Sequence, residues 1–163
     1  ETDLVFTPDR LETVERTALE RGCHAILLQK PAYELERLLF AVRPGPLADR
    51  IVRLLAELLE DPRLRATLLY VLEEEVDPDE ARRDLEVLQR HLLEGEGVEA
   101  ERVEIRVVTG EDREEAVLAA AAEHDAVVVG ETDPSVRDSI FGDFARQLAD
   151  ATEKPVIVVR REV

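Results

Sequence analysis

The sequence is poor in sulfur, in aromatic side chains and in lysine. Its 163 residues include one cysteine (Cys23), two lysines, no tryptophan and no methionine. A single cysteine excludes an intramolecular disulfide and a metal site built from cysteines. The chain also lacks the run of about 18 apolar residues that a membrane-spanning helix requires. We therefore expect no metal site, no membrane insertion of this chain and a cytoplasmic location.

Negative charge outnumbers positive charge. The chain has 38 acidic and 21 basic residues, a formal net charge of −17. Such a surface repels nucleic acids and anionic membranes, so neither is an expected partner. The acids are either a solvated surface adapted to high intracellular salt or an acidic interaction surface. Their spread over every segment, rather than in one tail, favours the first interpretation.

Short apolar segments alternate with amphipathic segments from residue 36 onward. The apolar segments 37–42, 64–75, 103–110, 125–130 and 155–161 predict five strands, with four helices between them. The fourth strand, DAVVVG, is apolar throughout and is therefore expected to be buried on both faces. This alternation predicts an α/β fold, a doubly wound parallel sheet with helices on both faces, in a domain that covers residues 36–163.

Two of the predicted helices carry further signals. Asp77 is an expected N-cap because Pro78 follows it at the first helical position. In the last helix, the spacing of Phe144, Leu148 and Ala151 predicts that these three side chains form the face toward the core.

Residues 1–35 form a strand-helix-strand fragment ahead of this domain. Segment 4–29 matches segment 105–130 in the order of its elements when a gap of two residues is allowed. The match is either a weak internal repeat or the likeness of any two pieces of this kind. In both cases the strand of the fragment needs a sheet edge, in this chain or in a partner.

The motifs VVVG (127–130), FG (141–142) and KPVIVVR (154–160), in this order of strands, resemble the universal stress protein family over residues 36–163. The resemblance implies a flavodoxin-like sheet with strand order 3-2-1-4-5, whose last strand often pairs across a dimer. We therefore expect a homodimer through Val156, Ile157, Val158 and Val159, since an open apolar edge strand invites pairing. The fragment 1–35 resembles the tail of a preceding stress-protein unit.

Nucleotide-binding members of that family carry an aspartate after the first strand and a loop of pattern G-x2-G-x9-G-[ST] after the fourth. This chain has Arg43 at the first position. Gly130 is present in the loop, but Asp133 stands where the second glycine belongs. Gly142 comes one residue early and is followed by Asp143 instead of serine or threonine. The resemblance thus marks a degenerate nucleotide loop, and ATP or AMP is possible but disfavoured as a cofactor.

Three interpretations of this loop remain open. The first is a remnant that only caps and orients the fourth helix. The second is a changed ligand, a small anion or mononucleotide held by Arg43 and Arg137. The third is a divalent cation bound by Asp133 and Asp143. For a triphosphate, Asp133, Asp138 and Asp143 would add repulsion unless Mg²⁺ lay between them.

No motif of a catalytic site is present: the sequence has no nucleophile elbow, P-loop or HExxH. We therefore expect a non-enzymatic, cytoplasmic regulatory or interaction domain. The family resemblance implies attachment to a membrane transporter, an amino-acid permease or a cation–proton antiporter of a salt-loving organism. The alternative is a freestanding stress protein that senses ATP or AMP.

Overall fold

The computed structural model describes residues 16, 20, 22, 25–28, 34–42, 48–72, 77–95, 97–130 and 142–159. The strands are β1 (Ala25–Leu28), β2 (Arg37–Ala41), β3 (Arg65–Leu72), β4 (Val103–Thr109), β5 (Ala126–Gly130) and β6 (Val156–Val159). The helices are α1 (Ala48–Leu58), α2 (Pro78–Arg90), α3 (Arg113–Ala121) and α4 (Gly142–Ala151). A π-helical turn (His91–Gly95) extends α2, and a 3₁₀ turn (Ala100–Arg102) leads into β4.

The six strands form one sheet in the order β1-β6-β5-β2-β3-β4. Strands β2 to β6 are all parallel to one another. Numbered among themselves, these five strands have the order 3-2-1-4-5, which confirms the predicted fold class. Each parallel crossover contains one of the four helices, as parallel connections require.

The edge of β6 differs from the prediction. Strand β1 pairs with β6 in antiparallel orientation, with Ala25 opposite Val159 and Leu28 opposite Val156. Because β5 occupies the other side of β6, residues 156–159 are not an open edge. The premise of the predicted homodimer contact is therefore wrong for this arrangement of the chain. The strand of the amino-terminal fragment instead finds its sheet edge within the same chain.

Two apolar layers, one on each face of the sheet, form the core. The layer beneath α3 and α4 takes alternate strand residues together with Val117 and Leu148. The layer beneath α1 and α2 takes the intervening strand residues together with Leu55 and Leu85. In β5, residues 126–129 are all buried and alternate between the two layers, which confirms the expectation for this strand.

The side of α4 that faces the core differs from the predicted side by a small rotation of the helix about its axis. Leu148 is fully buried and Phe144 packs against the core, but Ala151 is exposed. Ala145 and Ala149 are buried instead. Alanines lie on both sides of this helix, so spacing alone leaves its rotation open by one position.

A buried histidine joins α3 to β3. His124 Nδ1 lies 2.7 Å from the carbonyl oxygen of Ala120, and Nε2 lies 2.8 Å from Thr67 Oγ1. Because a carbonyl only accepts, Nδ1 must donate, and in the neutral ring Nε2 accepts from the threonine hydroxyl. Both ring nitrogens are thus engaged at the carboxyl end of α3.

A single arginine closes the turn between α1 and β3. Arg102 Nη2 donates to the carbonyl oxygens of Leu59 at 2.8 Å, Asp61 at 2.6 Å and Leu64 at 2.9 Å. Its Nε also donates to Leu64, at 3.1 Å. The guanidinium therefore satisfies three carbonyls of one turn from the segment just before β4.

Replacing this arginine tests how much the closure contributes. We expect Arg102→Ala to lower the free energy of unfolding by about 2 kcal/mol, because three partly buried carbonyls lose a charged donor. Arg63→Ala is the matched control, since Arg63 pairs with Asp61 in the same turn but is exposed; its effect should fall within experimental error. Urea unfolding at neutral pH measures both, and equal effects of the two substitutions would contradict the assigned role of Arg102.

An aspartate ties the amino ends of the two central strands together. Asp125 Oδ2 accepts hydrogen bonds from the backbone amides of Glu36 at 3.0 Å and Arg37 at 2.8 Å. The amide of Asp125 donates in turn to the carbonyl of Arg37 at 2.8 Å. Burial raises the pKa of Asp125, but these amides and the charges of Arg37 and Lys154 oppose it, and the net pKa is lowered.

This lowered pKa predicts an acid-sensitive contribution to stability. The stabilisation is fully present above the ordinary aspartate pKa of 3.8 and is lost as the pH falls through the lower folded-state pKa. We expect Asp125→Asn to cost about 1 kcal/mol at pH 6, and the difference from the unsubstituted protein to shrink in acid. Urea unfolding as a function of pH measures it, with exposed Asp84→Asn as control. A difference that stays constant down to the acid limit would refute the assignment.

Candidate functional site

The crossovers of the sheet change direction between β2 and β5. From β2 the chain passes through α1 to β3 on one side, and from β5 it passes through α4 to β6 on the other. Ligands of open α/β sheets bind outside the carboxyl ends of the strands at such a switch point. The candidate site is therefore the crevice beyond Ala41 and Gly130, the last residues of these two strands.

The structure places the two glycines of the predicted loop at opposite ends of that loop. Gly130 is the last residue of β5, and Gly142 is the first residue of α4. The backbone of Asp143 therefore lies in the first turn of α4. The three positions therefore flank the connection between β5 and α4, and their part in binding stays a prediction.

Four other predicted positions lie outside the described residues. These are Arg43, Asp133, Arg137 and Asp138. The changed-ligand interpretation and the cation interpretation both depend on them, so each stays a prediction.

The amino termini of α2 and α3 are closed by their own aspartates. Asp77 accepts from the amide of Asp79 at 3.0 Å, which confirms the predicted N-cap. Asp112 accepts from the amides of Glu114 at 2.8 Å and Glu115 at 3.2 Å. A carboxylate at these two helix ends already occupies the place that an external anion would take. Among the helices that follow β3, β4 and β5, α4 is the one that begins with a glycine at the switch point.

One pair of residues at this site is not evident from the sequence. The guanidinium carbon of Arg113 lies 4.2 Å from the ring centroid of Phe144, so the first turn of α3 contacts the first turn of α4. An arginine over an aromatic face in this geometry is a favourable cation–π contact. The pair places a positive charge beside the beginning of α4. No sequence pattern predicts this contact. The feature that the two residues share, visible once the structure is known, is that each lies in the first turn of a helix that follows a strand of the same sheet.

Two of the described polar side chains near the sheet have structural partners. His124 is bonded to Ala120 and Thr67, and Asp112 caps α3. The part of the chain that the structure describes contains no group of three or more His, Cys, Asp or Glu residues placed to hold a metal ion. Within the same ranges, none of the helices combines the length and the apolar character needed to cross a membrane.

The sequence model of the universal stress protein family matches residues 34–160, a range that contains β2 to β6. A search of curated proteins finds no match.

Solved structures share the fold. A universal stress protein from Archaeoglobus fulgidus is 22% identical, with a TM-score of 0.59; the match covers 78% of this chain and 44% of that one, less than half its length. A structure of the universal stress protein from Archaeoglobus fulgidus in complex with dAMP is 22% identical, with a TM-score of 0.58 and coverage of 77% and 98%. A universal stress protein in complex with cAMP is 16% identical, with a TM-score of 0.58 and coverage of 78% and 98%.

The family match extends over all five parallel strands and the switch point between them, and the similar structures have the same α/β fold. The chain belongs to the universal stress protein family.

Proposed function

We propose that this chain is a non-catalytic, cytoplasmic regulatory domain that acts through binding and contacts rather than by turning over a substrate. The observation that carries the proposal is the chemistry of the switch point. There the described residues supply two glycine backbones, Gly130 and Gly142, and one cation, Arg113. Two aspartates of the described ranges lie at this end of the sheet: Asp112 caps α3, and Asp143 is in the first turn of α4, so we assign neither as a nucleophile or a general base.

The sequence of the loop supports a loss of triphosphate binding. Aspartates stand at 133 and 143, where family members that bind nucleotides carry glycine and then serine or threonine. A carboxylate about 4 Å from a phosphate charge costs about 1 kcal/mol in water and several times more near a protein surface. On this proposal, the domain is the remnant of a nucleotide-binding unit and no longer requires a nucleotide.

A second candidate is a nucleoside monophosphate sensor, and a specific observation favours it. Two of the similar structures are complexes with dAMP and cAMP, ligands that carry a single phosphate group. One phosphate faces less repulsion from the loop aspartates than three do, and Arg113 adds a positive charge beside α4. Arg43 and Arg137 would complete such a site.

Attachment to a membrane transporter extends the proposal. The acidic composition and the family resemblance support it. The coding sequence on either side of this segment tests it directly. Apolar runs of about 20 residues in the same reading frame would support a tethered domain, and a full coding sequence without them would refute it.

Restoring the family pattern distinguishes a lost site from a changed one. We expect calorimetric titration with ATP, with and without Mg²⁺, to give no heat with the unsubstituted domain in molar KCl. We expect Asp133→Gly combined with Asp143→Ser to give a measurable MgATP titration, with an affinity at least tenfold above the detection limit, a margin of about 1.4 kcal/mol. Asp79→Gly combined with Asp84→Ser, on exposed positions of α2, is the control for charge removed elsewhere. ATP hydrolysis by the unsubstituted domain would overturn the non-catalytic assignment.

The same titration with AMP tests the sensor. If a monophosphate binds, Arg113→Ala should weaken it by about tenfold, since the cation beside the helix is lost. Arg83→Ala, an exposed arginine bonded to the carbonyl of Asp79, should leave it unchanged. Binding that is unaffected by Arg113→Ala but lost in Arg43→Ala and Arg137→Ala would assign the ligand to the two loop arginines. Silence with AMP, dAMP and cAMP alike would leave the regulatory domain without a nucleotide.

A further inference from the structure

Strand β4 forms the edge of the sheet opposite to β1, and β3 is its neighbour on the inner side. The direction of its backbone groups follows from the bonds between β2 and β3. The amide of Arg65 donates to the carbonyl of Glu36 at 2.7 Å, and the carbonyl of Leu69 accepts from the amide of residue 42 at 2.9 Å. The odd-numbered residues of β3 therefore bond to β2. Because successive residues of a strand direct their backbone groups to opposite sides, the even-numbered residues of β3 bond to β4.

The same alternation determines which groups of β4 point away from the sheet. Leu68 lies opposite Ile105 in the parallel register. In a parallel pair, Leu68 then bonds to the residues before and after Ile105, so Ile105 directs its own amide and carbonyl outward. Val107 and Thr109 have the same phase along the strand. These three residues thus present six backbone groups at the edge.

The first outward residue of β4 is closed by its own chain. The amide of Val103 donates to the carbonyl of Ala100 in the 3₁₀ turn, and its carbonyl accepts from Gln89 Nε2 at 2.8 Å. In the part of the chain that the structure describes, no such bond reaches the outward groups of residues 105, 107 and 109. The free edge is therefore the segment 105–109.

This free edge has few of the features that prevent edge strands from pairing. Its sequence, IRVVT, is rich in β-branched residues and contains no proline, glycine or lysine. Its single charge, on Arg106, is held by Glu104 at 3.2 Å and by Glu123, next to the end of α3, at 2.9 Å. Ile105 and Val107 are half-buried on the opposite face of the sheet, the face that α1 and α2 cover. The segment 105–109 is thus suited to accept one more strand.

The charge around the free edge is negative. Four exposed glutamates flank or adjoin it in the sequence, namely Glu99, Glu101, Glu104 and Glu111. The two arginines of the same stretch are engaged, Arg102 with carbonyls of the turn before β3 and Arg106 with its two glutamates. A cationic strand is the electrostatic complement of this surface. A second copy of this chain, with a net charge of −17, is not.

We propose that the edge 105–109 binds an extended segment of another protein in which apolar residues alternate with lysine or arginine. Alternate side chains of an added strand lie on opposite faces of the sheet. The apolar side chains would contact Ile105 and Val107 on one face, and the cations would lie beside Glu104 on the other. Main-chain hydrogen bonds supply affinity, and the alternation supplies specificity. Since β3 and β2 separate this edge from β5, the proposal does not depend on a nucleotide at the switch point.

A designed peptide tests the proposal on the full chain. The probe is acetyl-TVKVKVT-amide. The matched control is the same peptide with every valine and lysine amide N-methylated, which keeps the charge and removes main-chain donors. We expect the probe to bind with a dissociation constant below about 1 mM, and the control to bind about tenfold more weakly or not at all. Titration followed by two-dimensional amide NMR at about 0.15 M salt, where the Debye length is about 8 Å, measures both.

The pattern of amide protection identifies the binding surface. The amides of Ile105, Val107 and Thr109 should shift and exchange with deuterium more slowly in the complex, because they gain acceptors. The amides of Arg106 and Val108 already point toward β3, so their exchange rates should not change. Protection without this alternation would contradict the proposed strand addition.

Substitutions in β4 separate the backbone contribution from the charge contribution. Val107→Pro removes one outward amide, which an edge strand tolerates, and should weaken binding about tenfold. Val107→Ile keeps the amide and should bind as the parent does. Glu104→Lys should weaken binding about tenfold because it reverses the charge beside the peptide. Glu153→Lys, at an exposed position just before β6, makes the same change of net charge and should have no effect.

The remaining outcomes are also decisive. Equal binding of the N-methylated control, or equal effects of Glu104→Lys and Glu153→Lys, would overturn the proposal in favour of attraction to the net charge alone. The absence of any shift up to about 2 mM probe would overturn it as well. Self-association of the parent that Val107→Pro abolishes, measured by sedimentation, would assign the edge to a second copy instead. If circular dichroism shows that Val107→Pro fails to fold, the N-methylated control and Glu104→Lys still decide.

Discussion

The pairing of β2 with β5 is the constraint on which the remainder of the molecule depends. Leu38 to Ala41 lie opposite Ala126 to Val129, and all eight residues are buried. Each fully buried leucine, valine or phenylalanine contributes about 1.5–3 kcal/mol. Because helices cover both faces of β2 and β5, this pair of strands determines the face of the sheet against which each helix packs. The crossovers diverge from this pair, so it also determines where a ligand crevice can form.

The elements of this fold could be predicted because their signals are local. Residues 126–129 are apolar without interruption, which indicates a strand buried on both faces, and Asp77 followed by Pro78 marks the start of α2. The strand order was available only from the family resemblance, since periodicity says nothing about which strands are neighbours. In α4 the periodicity itself was ambiguous, and Ala151 proved exposed. Alanine is small enough to fit either inside or outside a helix, so it cannot fix the rotation.

The long-range polar contacts could not be predicted. Asp125 bonds to amides 88 and 89 residues away, and Arg102 reaches carbonyls about forty residues away. Neither residue stands in a pattern that distinguishes it from the other acids and arginines of a highly charged chain. The candidate site shows the same difference between features that local sequence predicts and contacts that only the folded structure shows. The sequence located Gly130 and Gly142, whereas the contact of Arg113 with Phe144 joins two helices through tertiary packing alone.

The antiparallel ladder at the sheet edge also determines how the domain responds to mechanical force. Ala25 and Val159 are paired, so the chain enters β1 and leaves β6 at the same end of the ladder. Tension between the polypeptide before β1 and the polypeptide after β6 would load one pair of residues at a time, starting with Ala25 and Val159. Strands pulled in this way peel apart in sequence, whereas strands pulled from opposite ends must break all their hydrogen bonds together. The edge strand is therefore the part of the sheet that gives way first under stretching, and the five parallel strands remain folded when it does.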